Sequence, residues 1–288
     1  MKYAIVTCSE KKWIYPQNIY GEDGILNITL PCFNAKRTKK YAKKVNEFLE
    51  DAKISEIIVD DTLLKNKLFC NYLLDCKRYI ITGRRIYKTI TLRILREVSE
   101  LMKVDIKRLK VALLLNGYSH ENIELIKLIA QEVKSLTIVT TVKEYYDKIL
   151  DELYVDKGIV LKVIEKNRAN LKYVNVICNI DFPSYDLDSI NISNSCIFVT
   201  GLAKGYNVKN NFRGIIIRKV DILAKKGALN NIDELALCEA NTYSSLRKMK
   251  ENDKNFDKTN YIINGFFGEN GKITSEEFRS LGKILLDK

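Results

Sequence analysis

The chain has one histidine, His120, which lies in a short polar stretch, Asn-Gly-Tyr-Ser-His-Glu, at 116–121. Histidine is the side chain whose ordinary pKa lies closest to neutrality, which makes His120 a candidate general acid or base. Gly117 and Ser119 come just before it, and a glycine followed by a helix N-cap can present backbone N–H groups to an anion. A solvent-facing helix residue is the other interpretation of His120, because nothing in the sequence supplies a partner that would orient its ring.

Three later apolar segments are followed by residues that suit a binding site. Leu136–Val139 is followed by Thr140, Thr141 and Lys143, Tyr173–Cys178 by Asn179 and Asp181, and Cys196–Thr200 by Gly201 and Lys204. Ligands of open α/β sheets bind beyond the carboxyl ends of the strands, so these residues are candidates, with Lys204 a second candidate proton donor. Helix capping explains the two threonines without a ligand, and a tight turn explains Gly201.

Two constellations near the amino terminus have their own chemistry. Cys8 is followed by Lys11 and Lys12, whose charges would lower the thiol pKa and activate a nucleophile. Asp60 and Asp61 end another apolar segment, where they could bind Mg²⁺ or a substrate hydroxyl. A buried structural cysteine and a helix N-cap are the simpler interpretations. The seven cysteines predict neither a zinc site nor a disulfide framework, because they lie far apart without a Cys-x-x-Cys pair.

The histidine turn is positioned by the segment from Lys110 to Thr141, which predicts strand, turn, helix and strand. Val111–Leu115 is an uninterrupted apolar run, as in parallel strands that are buried on both faces. Apolar residues then recur at helical spacing from Ile123 to Val133, with Ser119 a suitable N-cap, and Leu136–Val139 predicts the next strand. A βαβ unit of about 30 residues is the first half of a mononucleotide-binding fold.

Short apolar segments alternate with amphipathic ones on both sides of this unit. Further strands are predicted at Tyr3–Cys8, Ile25–Leu30, Ile54–Val59, Tyr79–Thr82, Gly158–Val163, Tyr173–Cys178, Cys196–Thr200 and Gly214–Arg218, with a loop at Glu10–Gly24. Helices are predicted at Ala35–Ala52, Leu63–Leu74, Arg84–Met102, Val142–Leu153, Val220–Lys226, Ile232–Met249 and Ser275–Leu286. The fold class that follows is α/β: a Rossmann-like doubly wound parallel sheet, preceded by a smaller α/β domain and followed by a C-terminal helical return. The predicted domains are a small α/β domain at 1–83, a connecting helix at 84–108, a Rossmann-like domain at 109–219 and a C-terminal helical segment at 220–288.

This arrangement resembles the two-domain enzymes of the shikimate dehydrogenase and glutamyl-tRNA reductase group, and the resemblance covers most of the chain in architecture. It implies an oxidoreductase that moves a hydride between NAD(P) and a small carbonyl or hydroxy compound in a cleft between domains. His120 or a lysine such as Lys204 would then be the proton donor. Of the glycine-rich turn of these families the chain keeps only Gly117. Tyr118 and His120 are expected to crowd the phosphate position, and Glu121 places a like charge near it.

The resemblance also implies where a cofactor would bind. The cofactor-binding residues that follow from it are Asn116, Gly117, Ser119, Thr140, Thr141, Lys143 and Gly201. NAD-selective sites usually carry Asp or Glu at the end of the second strand, whereas small polar and basic residues suit NADP. These residues depart from the NAD pattern and are compatible with NADP as the cofactor, and they are equally compatible with an empty site. A later helix carrying Glu234 and Glu239 would fold back toward the cleft, although as exposed helix charges these two residues need no function.

The chain is basic, with a net charge of +12 and a pI near 9.2, and part of the charge is concentrated in the helix predicted at Ala35–Ala52. The basic residues opposite its apolar face are Lys36, Arg37, Lys39, Lys40, Lys43 and Lys44. A solvated helix surface is one interpretation and a phosphate-binding face is the other. A small-molecule substrate is the expected partner, and nucleic acid is less favoured because lysine is abundant throughout the chain.

No apolar run reaches the roughly 18 to 20 residues needed to cross a bilayer, and the amino terminus lacks a signal-peptide pattern. A cytoplasmic protein without a membrane partner is therefore expected, and a homo-oligomer is compatible with the sequence. Two other functions stay open. A non-catalytic Rossmann-like binding or scaffolding protein is suggested by the reduced glycine turn, and a nucleic-acid-binding protein is suggested by the charge.

Overall fold

The computed structural model describes residues 3–10, 16–21, 24–147, 161–201, 212–222, 234–246 and 262–286. The chain forms two compact units. Unit 1 comprises Met1–Ile86 and Ala224–Lys258, and unit 2 comprises Tyr87–Leu223 and Thr259–Lys288.

Helices and strands alternate through much of the described chain. The strands are β1 (Ala4–Cys8), β2 (Gln17–Tyr20), β3 (Leu26–Leu30), β4 (Glu56–Val59), β5 (Tyr79–Ile80), β6 (Lys110–Leu115), β7 (Ser135–Thr140), β8 (Leu161–Glu165), β9 (Asn170–Leu171), β10 (Val176–Asn179), β11 (Asn191–Ile192), β12 (Ile197–Val199), β13 (Ile215–Ile217), β14 (Lys219–Ile222), β15 (Ile263–Gly268) and β16 (Gly271–Lys272). The helices are α1 (Thr38–Asp51), α2 (Asp61–Leu64), α3 (Lys67–Asp75), α4 (Arg84–Met102), α5 (His120–Ala130), α6 with the described part 143–147, α7 (Ser184–Leu187), α8 (Glu234–Leu246) and α9 (Ser275–Leu286).

In its described part, unit 1 is built on a five-stranded sheet in the order β2-β3-β1-β4-β5. The strands β3, β1, β4 and β5 are parallel, and β2 is an antiparallel edge strand. The chain passes from β1 to β3 on one side and then crosses to β4 on the other. The carboxyl ends of β1 and β4 therefore flank a topological switch point, the position at which open α/β sheets bind ligands.

Both faces of the unit 1 sheet are covered by helices. Residues Ala4 and Val6 of β1 join one core cluster with α1 and α3, whereas Tyr3 and Ile5 join a second cluster with α8. This alternation follows from the period of two along a strand. The helix predicted at Ala35–Ala52 is confirmed as α1, which buries residues at helical spacing on the sheet side.

Two predictions within unit 1 are wrong. The segment Glu10–Gly24 is not only a loop, because it contains β2, whose four residues are all exposed and so lack the apolar alternation that signals a strand. The single helix predicted at Leu63–Leu74 is two helices, α2 and α3. The Asn66 side chain accepts a hydrogen bond from the Phe69 N–H and begins α3 anew.

Among the described residues of unit 2, six parallel strands form a sheet in the order β13-β12-β10-β6-β7-β8. If these six strands are numbered 1 to 6 along the chain, the sheet from β8 to β13 has the order 3-2-1-4-5-6, which is that of dinucleotide-binding domains. The predicted Rossmann-like sheet is confirmed. The central strand β6 is buried over Val111–Leu115, as its apolar run predicted. Because β6 leads to β7 on one side and β10 lies on the other, the switch point falls between β6 and β10.

The predicted C-terminal helical return contains α8 and α9, and it also contains strands. The helix predicted at Val220–Lys226 is wrong, because Lys219–Ile222 is β14, antiparallel to β15. Its side chains alternate in burial, with Val220 and Ile222 buried, which fits a strand. In α9, Phe278 packs on Phe266 of β15 at a ring distance of 5.7 Å. In the part of the chain that the structure describes, no helix combines the length and apolarity needed to cross a membrane.

Candidate functional site

The ends of three strands of unit 2 meet at Asn116, the first residue after β6. Its backbone N–H donates a hydrogen bond to Oδ1 of Asp181, which follows β10. Its carbonyl oxygen accepts a hydrogen bond of 2.6 Å from Oγ1 of Thr141, which follows β7. The predicted turn therefore lies at the switch point, and its backbone is held from both neighbouring strands. The structure thus brings Asn116 and Thr141 together, and their role in cofactor binding stays a prediction.

Gly117 lies at the centre of the turn, and its side facing away from the protein is open. A Cβ atom added there would meet no atom within 4 Å, and Gly117 lacks the positive φ of Gly83 or Gly201. Packing in the described structure therefore does not require a glycine at this position. A ligand that must approach the backbone closely gives a physical reason for one.

The carbonyl group of Gly117 is fixed by two buried side chains. It accepts hydrogen bonds from Tyr146 Oη at 2.7 Å and from Asn122 Nδ2 at 2.8 Å. Burial raises the pKa of Tyr146 to about 12, with Asp181 acting in the same direction and the hydrogen bond from Asn122 opposing it. Tyr146 is therefore protonated at neutral pH and remains a donor. Asn122 is buried, and its Oδ1 has no hydrogen-bond partner among the described residues.

The two residues expected to crowd the phosphate position lie at the edge of the turn. Tyr118 is half exposed, and its ring packs against the rings of Tyr145 and Tyr146 at 5.5 and 5.9 Å. The side chain of His120, at the start of α5, is exposed. The solvent-facing interpretation of His120 therefore agrees with its environment, and its role as an acid or base stays a prediction.

A buried lysine that sequence reasoning missed lies at the beginning of α5. Lys88 of α4 is 8% exposed, and its Nζ lies 3.4 Å from Ser119 Oγ and 3.5 Å from Oε2 of Glu121. Ser119 is also the predicted N-cap, since its Oγ accepts from the Asn122 N–H. The ammonium group offsets the like charge that Glu121 was expected to bring. The sequence did contain one signal that Lys88 is buried. Lys88, Leu92 and Leu95 have the spacing i, i+4, i+7 of one helix face, and both leucines are buried.

The predicted ribose-contacting residues at the end of β7 already have protein partners. Thr140 is fully buried, and its Oγ1 accepts a hydrogen bond from the Val142 N–H. Val142 precedes α6, so this bond belongs to a turn, and Thr140 is not the N-cap that the sequence predicted. Thr141 supports the turn as described above. Lys143 forms an ion pair of 3.1 Å with Asp147 on α6.

Gly201, after β12, has a packing reason to be glycine. Its φ is +59°, and an added Cβ would lie 2.1 Å from the Asn179 carbonyl oxygen and 3.0 Å from the ring of Tyr87. Asn179 is buried and donates through Nδ2 to the carbonyl groups of Phe182 and Thr200. The tight-turn interpretation of Gly201 thus agrees with the structure. Lys204, the second candidate proton donor, lies outside the described residues.

At the switch point of unit 1, as at that of unit 2, an aspartate side chain accepts a hydrogen bond from a backbone N–H. Oδ2 of Asp60 accepts a hydrogen bond from the Cys8 backbone N–H, and Oδ1 accepts from the Leu63 N–H at the start of α2. Burial raises the pKa of Cys8 to about 11, with Asp60 and Cys32 acting in the same direction. The predicted lowering of this pKa is wrong, because burial, the largest contribution, disfavours the charged thiolate. Lys11 and Lys12, which were to lower it, lie outside the described residues.

Glu239 of α8 is buried, contrary to the prediction that it is an exposed helix charge. It is 2% exposed, and its Oε2 accepts a hydrogen bond of 3.0 Å from the Arg85 N–H in the first turn of α4. A carboxylate is favourable at a helix N-terminus. Glu239 therefore has a structural role within unit 1.

No family model matches the chain, and no curated protein matches it in sequence. Three solved structures with similarity to it are the following. L-tryptophan dehydrogenase from Nostoc punctiforme is 12% identical, with a TM-score of 0.31, over 68% of this chain and 61% of that one. A chorismate mutase/shikimate 5-dehydrogenase fusion protein from Clostridium acetobutylicum is 11% identical, with a TM-score of 0.27, over 75% and 84%. The catalytic subunit of M. jannaschii aspartate transcarbamoylase is 12% identical, with a TM-score of 0.27, over 100% and 87%. The match thus spans about three fifths of the tryptophan dehydrogenase, and the Rossmann-like assignment of unit 2 rests on its own strand order.

Proposed function

We propose that unit 2 binds a dinucleotide of the NADP type at its switch point, and that the protein is a NAD(P)-dependent dehydrogenase-like protein. The observation that carries this proposal is Gly117. It lies in the turn between the first strand and first helix of a sheet with dinucleotide-binding strand order, and the space in front of it is open. In that fold, the same turn is where the backbone approaches the pyrophosphate most closely.

The charges around the turn fit a phosphate group in part. The Lys88 ammonium is buried beside Ser119 and Glu121, so it neutralises the carboxylate that would otherwise repel a phosphate at the beginning of α5. The N-terminus of a helix adds its own favourable potential for anions. Asp181 opposes binding, because its carboxylate already accepts the Asn116 N–H. We therefore expect a weak phosphate site whose affinity depends on the charge of Asp181.

The end of β7 supports NADP over NAD. NAD-selective sites place an acidic side chain there for the ribose hydroxyls, whereas this chain has Thr140 and Thr141 followed by Lys143. A bound NADP would supply hydride chemistry for a small carbonyl or hydroxy compound. His120 and Lys204 remain the proposed proton donors.

Calorimetric titration with NADPH, NADP, NADH and NAD tests the proposal. We expect saturable binding that is tighter for the phosphorylated pair, together with a loss of affinity in Gly117→Ala. Because the added methyl group meets no protein atom, the variant should fold normally and lose only the space for a ligand. The proposal is contradicted if none of the four compounds binds, or if Gly117→Ala binds them as tightly as wild type does.

A second candidate function is a non-catalytic binding or scaffolding protein that retains the fold. It is favoured by the Asp181–Asn116 bond, which occupies a backbone donor at the switch point, and by the exposed position of His120. Folded protein that binds none of the four dinucleotides at millimolar concentration supports this candidate. Dinucleotide-dependent turnover of a small carbonyl compound contradicts it.

A further inference from the structure

The N-terminal part of α1 and the turn before it carry a dense positive charge that faces solvent. Its basic residues, which we call the α1 basic face, are Lys36, Arg37, Lys39, Lys40, Lys43 and Lys44. All six are exposed, and no acidic residue lies between the first and the last of them. Lys44 forms an ion pair of 3.0 Å with Glu47, one turn further along the helix. The basic helix surface predicted from the sequence is therefore exposed on unit 1.

Helix stability does not explain this charge pattern. Positive side chains are unfavourable near a helix N-terminus, where the backbone already presents positive partial charge, and acidic ones are favourable there. The first turn of α1 contains no acidic residue, and Arg37 at the N-cap position makes no capping hydrogen bond through its side chain. The acidic residues Glu50 and Asp51 lie at the opposite end. In α9, by contrast, two glutamates occupy the first turn and a lysine the last.

The lysines of α1 are arranged in rows along the helix. Lys39 and Lys43 form one row and Lys40 and Lys44 the adjacent one, because residues four apart lie on the same face of a helix. The two residues of each row are thus separated by slightly more than one helical turn, or about 6 Å along the axis. Such a row can contact successive charges of a polyanion, and the positive end of the helix adds to the same potential.

We propose that the α1 basic face binds the phosphate backbone of a nucleic-acid strand without reading its sequence. The apolar side of α1 favours this partner over a lipid surface. Its residues Tyr41, Val45 and Leu49 are at most 4% exposed and belong to the core of unit 1. The helix therefore has no apolar face available for insertion between lipids, which an interfacial amphipathic helix requires. Charge contacts to phosphates need no such face.

The test compares two variants of equal charge by fluorescence anisotropy with a labelled single-stranded oligonucleotide of mixed sequence. The first carries Lys39→Glu, Lys40→Glu and Lys43→Glu on α1. The control carries the same changes at Lys134, Lys162 and Lys172, which are exposed at separate places in unit 2. Each triple change lowers the net charge from +12 to +6, so the two variants differ only in where the charge was lost.

We expect the α1 variant to bind at least about tenfold more weakly than wild type, with the slope of log K against log salt reduced by about 2 for three lost contacts to a single strand. The control should lose much less. Folding should be preserved or improved in the α1 variant, since glutamates in the first turn suit the helix dipole, and thermal melting checks this. Equal losses in both variants, or no binding by wild type in low salt, overturn the proposal. Sedimentation with vesicles containing phosphatidylserine is the second arm, and binding there without oligonucleotide binding also overturns it in favour of an acidic membrane.

Discussion

The carboxylate of Asp181 accepts a hydrogen bond from the backbone N–H of Asn116, and this bond joins the two strand ends that flank the switch point of unit 2. Unit 1 repeats the relationship with Asp60 and the Cys8 N–H between β1 and β4. In both sheets, a backbone donor at the switch point already has a carboxylate acceptor. The charge of that carboxylate should therefore control which ligands can approach.

Asp181→Asn should strengthen dinucleotide binding. The asparagine Oδ1 can still accept the Asn116 N–H, so the turn should keep its geometry while losing a negative charge. Two unit charges about 4 Å apart interact by about 1 kcal/mol even in water, which corresponds to about fivefold in affinity. Calorimetry with NADPH measures the change. Unchanged or weaker binding in a folded variant would show that no phosphate lies near this carboxylate.

Substitution by alanine should change the free energy of unfolding differently at Gly201 and at Gly117. Gly201→Ala forces an L side chain into φ +59° against the Asn179 carbonyl group, and we expect a loss of at least about 1–3 kcal/mol in the free energy of unfolding. Gly117→Ala should leave that free energy unchanged or raise it by less than about 1 kcal/mol. Urea unfolding followed by circular dichroism distinguishes the two. A large loss in Gly117→Ala would mean that the turn differs from the geometry described above.

Glu239→Ala should destabilise unit 1. Removing the carboxylate leaves the Arg85 N–H without this acceptor, and we expect a cost of about 1–2 kcal/mol, typical of a lost helix cap. Glu239→Gln keeps an oxygen acceptor and should cost less. Unfolding curves of the two variants provide the check. If both variants match wild type, the buried carboxylate does not stabilise α4.

Cys8 should react slowly with iodoacetamide at pH 8, because its thiol pKa is raised from 9.0 to about 11 and the thiolate is the reactive form. Cys32 is exposed and should be modified first. The same shift makes Cys8 stabilise the fold below pH 9, and this contribution should be lost as the pH rises toward 11. Mass spectrometry of alkylated peptides measures the order. Rapid labelling of Cys8 would restore the nucleophile hypothesis.

Local sequence patterns correctly predicted the elements whose buried residues recur with one clear periodicity. The apolar run of β6 and the helical spacing of α4 were both sufficient, and Ser119 was correctly predicted to cap α5. The exposed strand β2 has no such pattern. The sequence of β14 is ambiguous, because Val220 and Leu223 have helical spacing whereas Val220 and Ile222 have strand spacing. Short segments of this kind are ambiguous without their pairing partners.

The strand order and the close neighbours in the candidate site depend on contacts between distant residues. Asp181 could be placed at a strand end from the sequence, but its bond to Asn116 follows from β6 and β10 being adjacent. Lys88 lies 31 positions before Ser119 in the chain, and their proximity depends on how α4 packs near the first turn of α5. The hydrophobic periodicity of a local segment does not encode these contacts between distant residues.

The most direct measurement of the central claim is a two-dimensional amide NMR spectrum of ¹⁵N-labelled protein titrated with NADPH. Binding at the switch point of unit 2 predicts that the amides of Asn116, Gly117 and Ser119 shift together with one dissociation constant, and that NADH shifts them less. Saturable shifts confined to other parts of the chain, or no shift of the Gly117 amide at any NADPH concentration, would contradict the claim that this turn binds a dinucleotide.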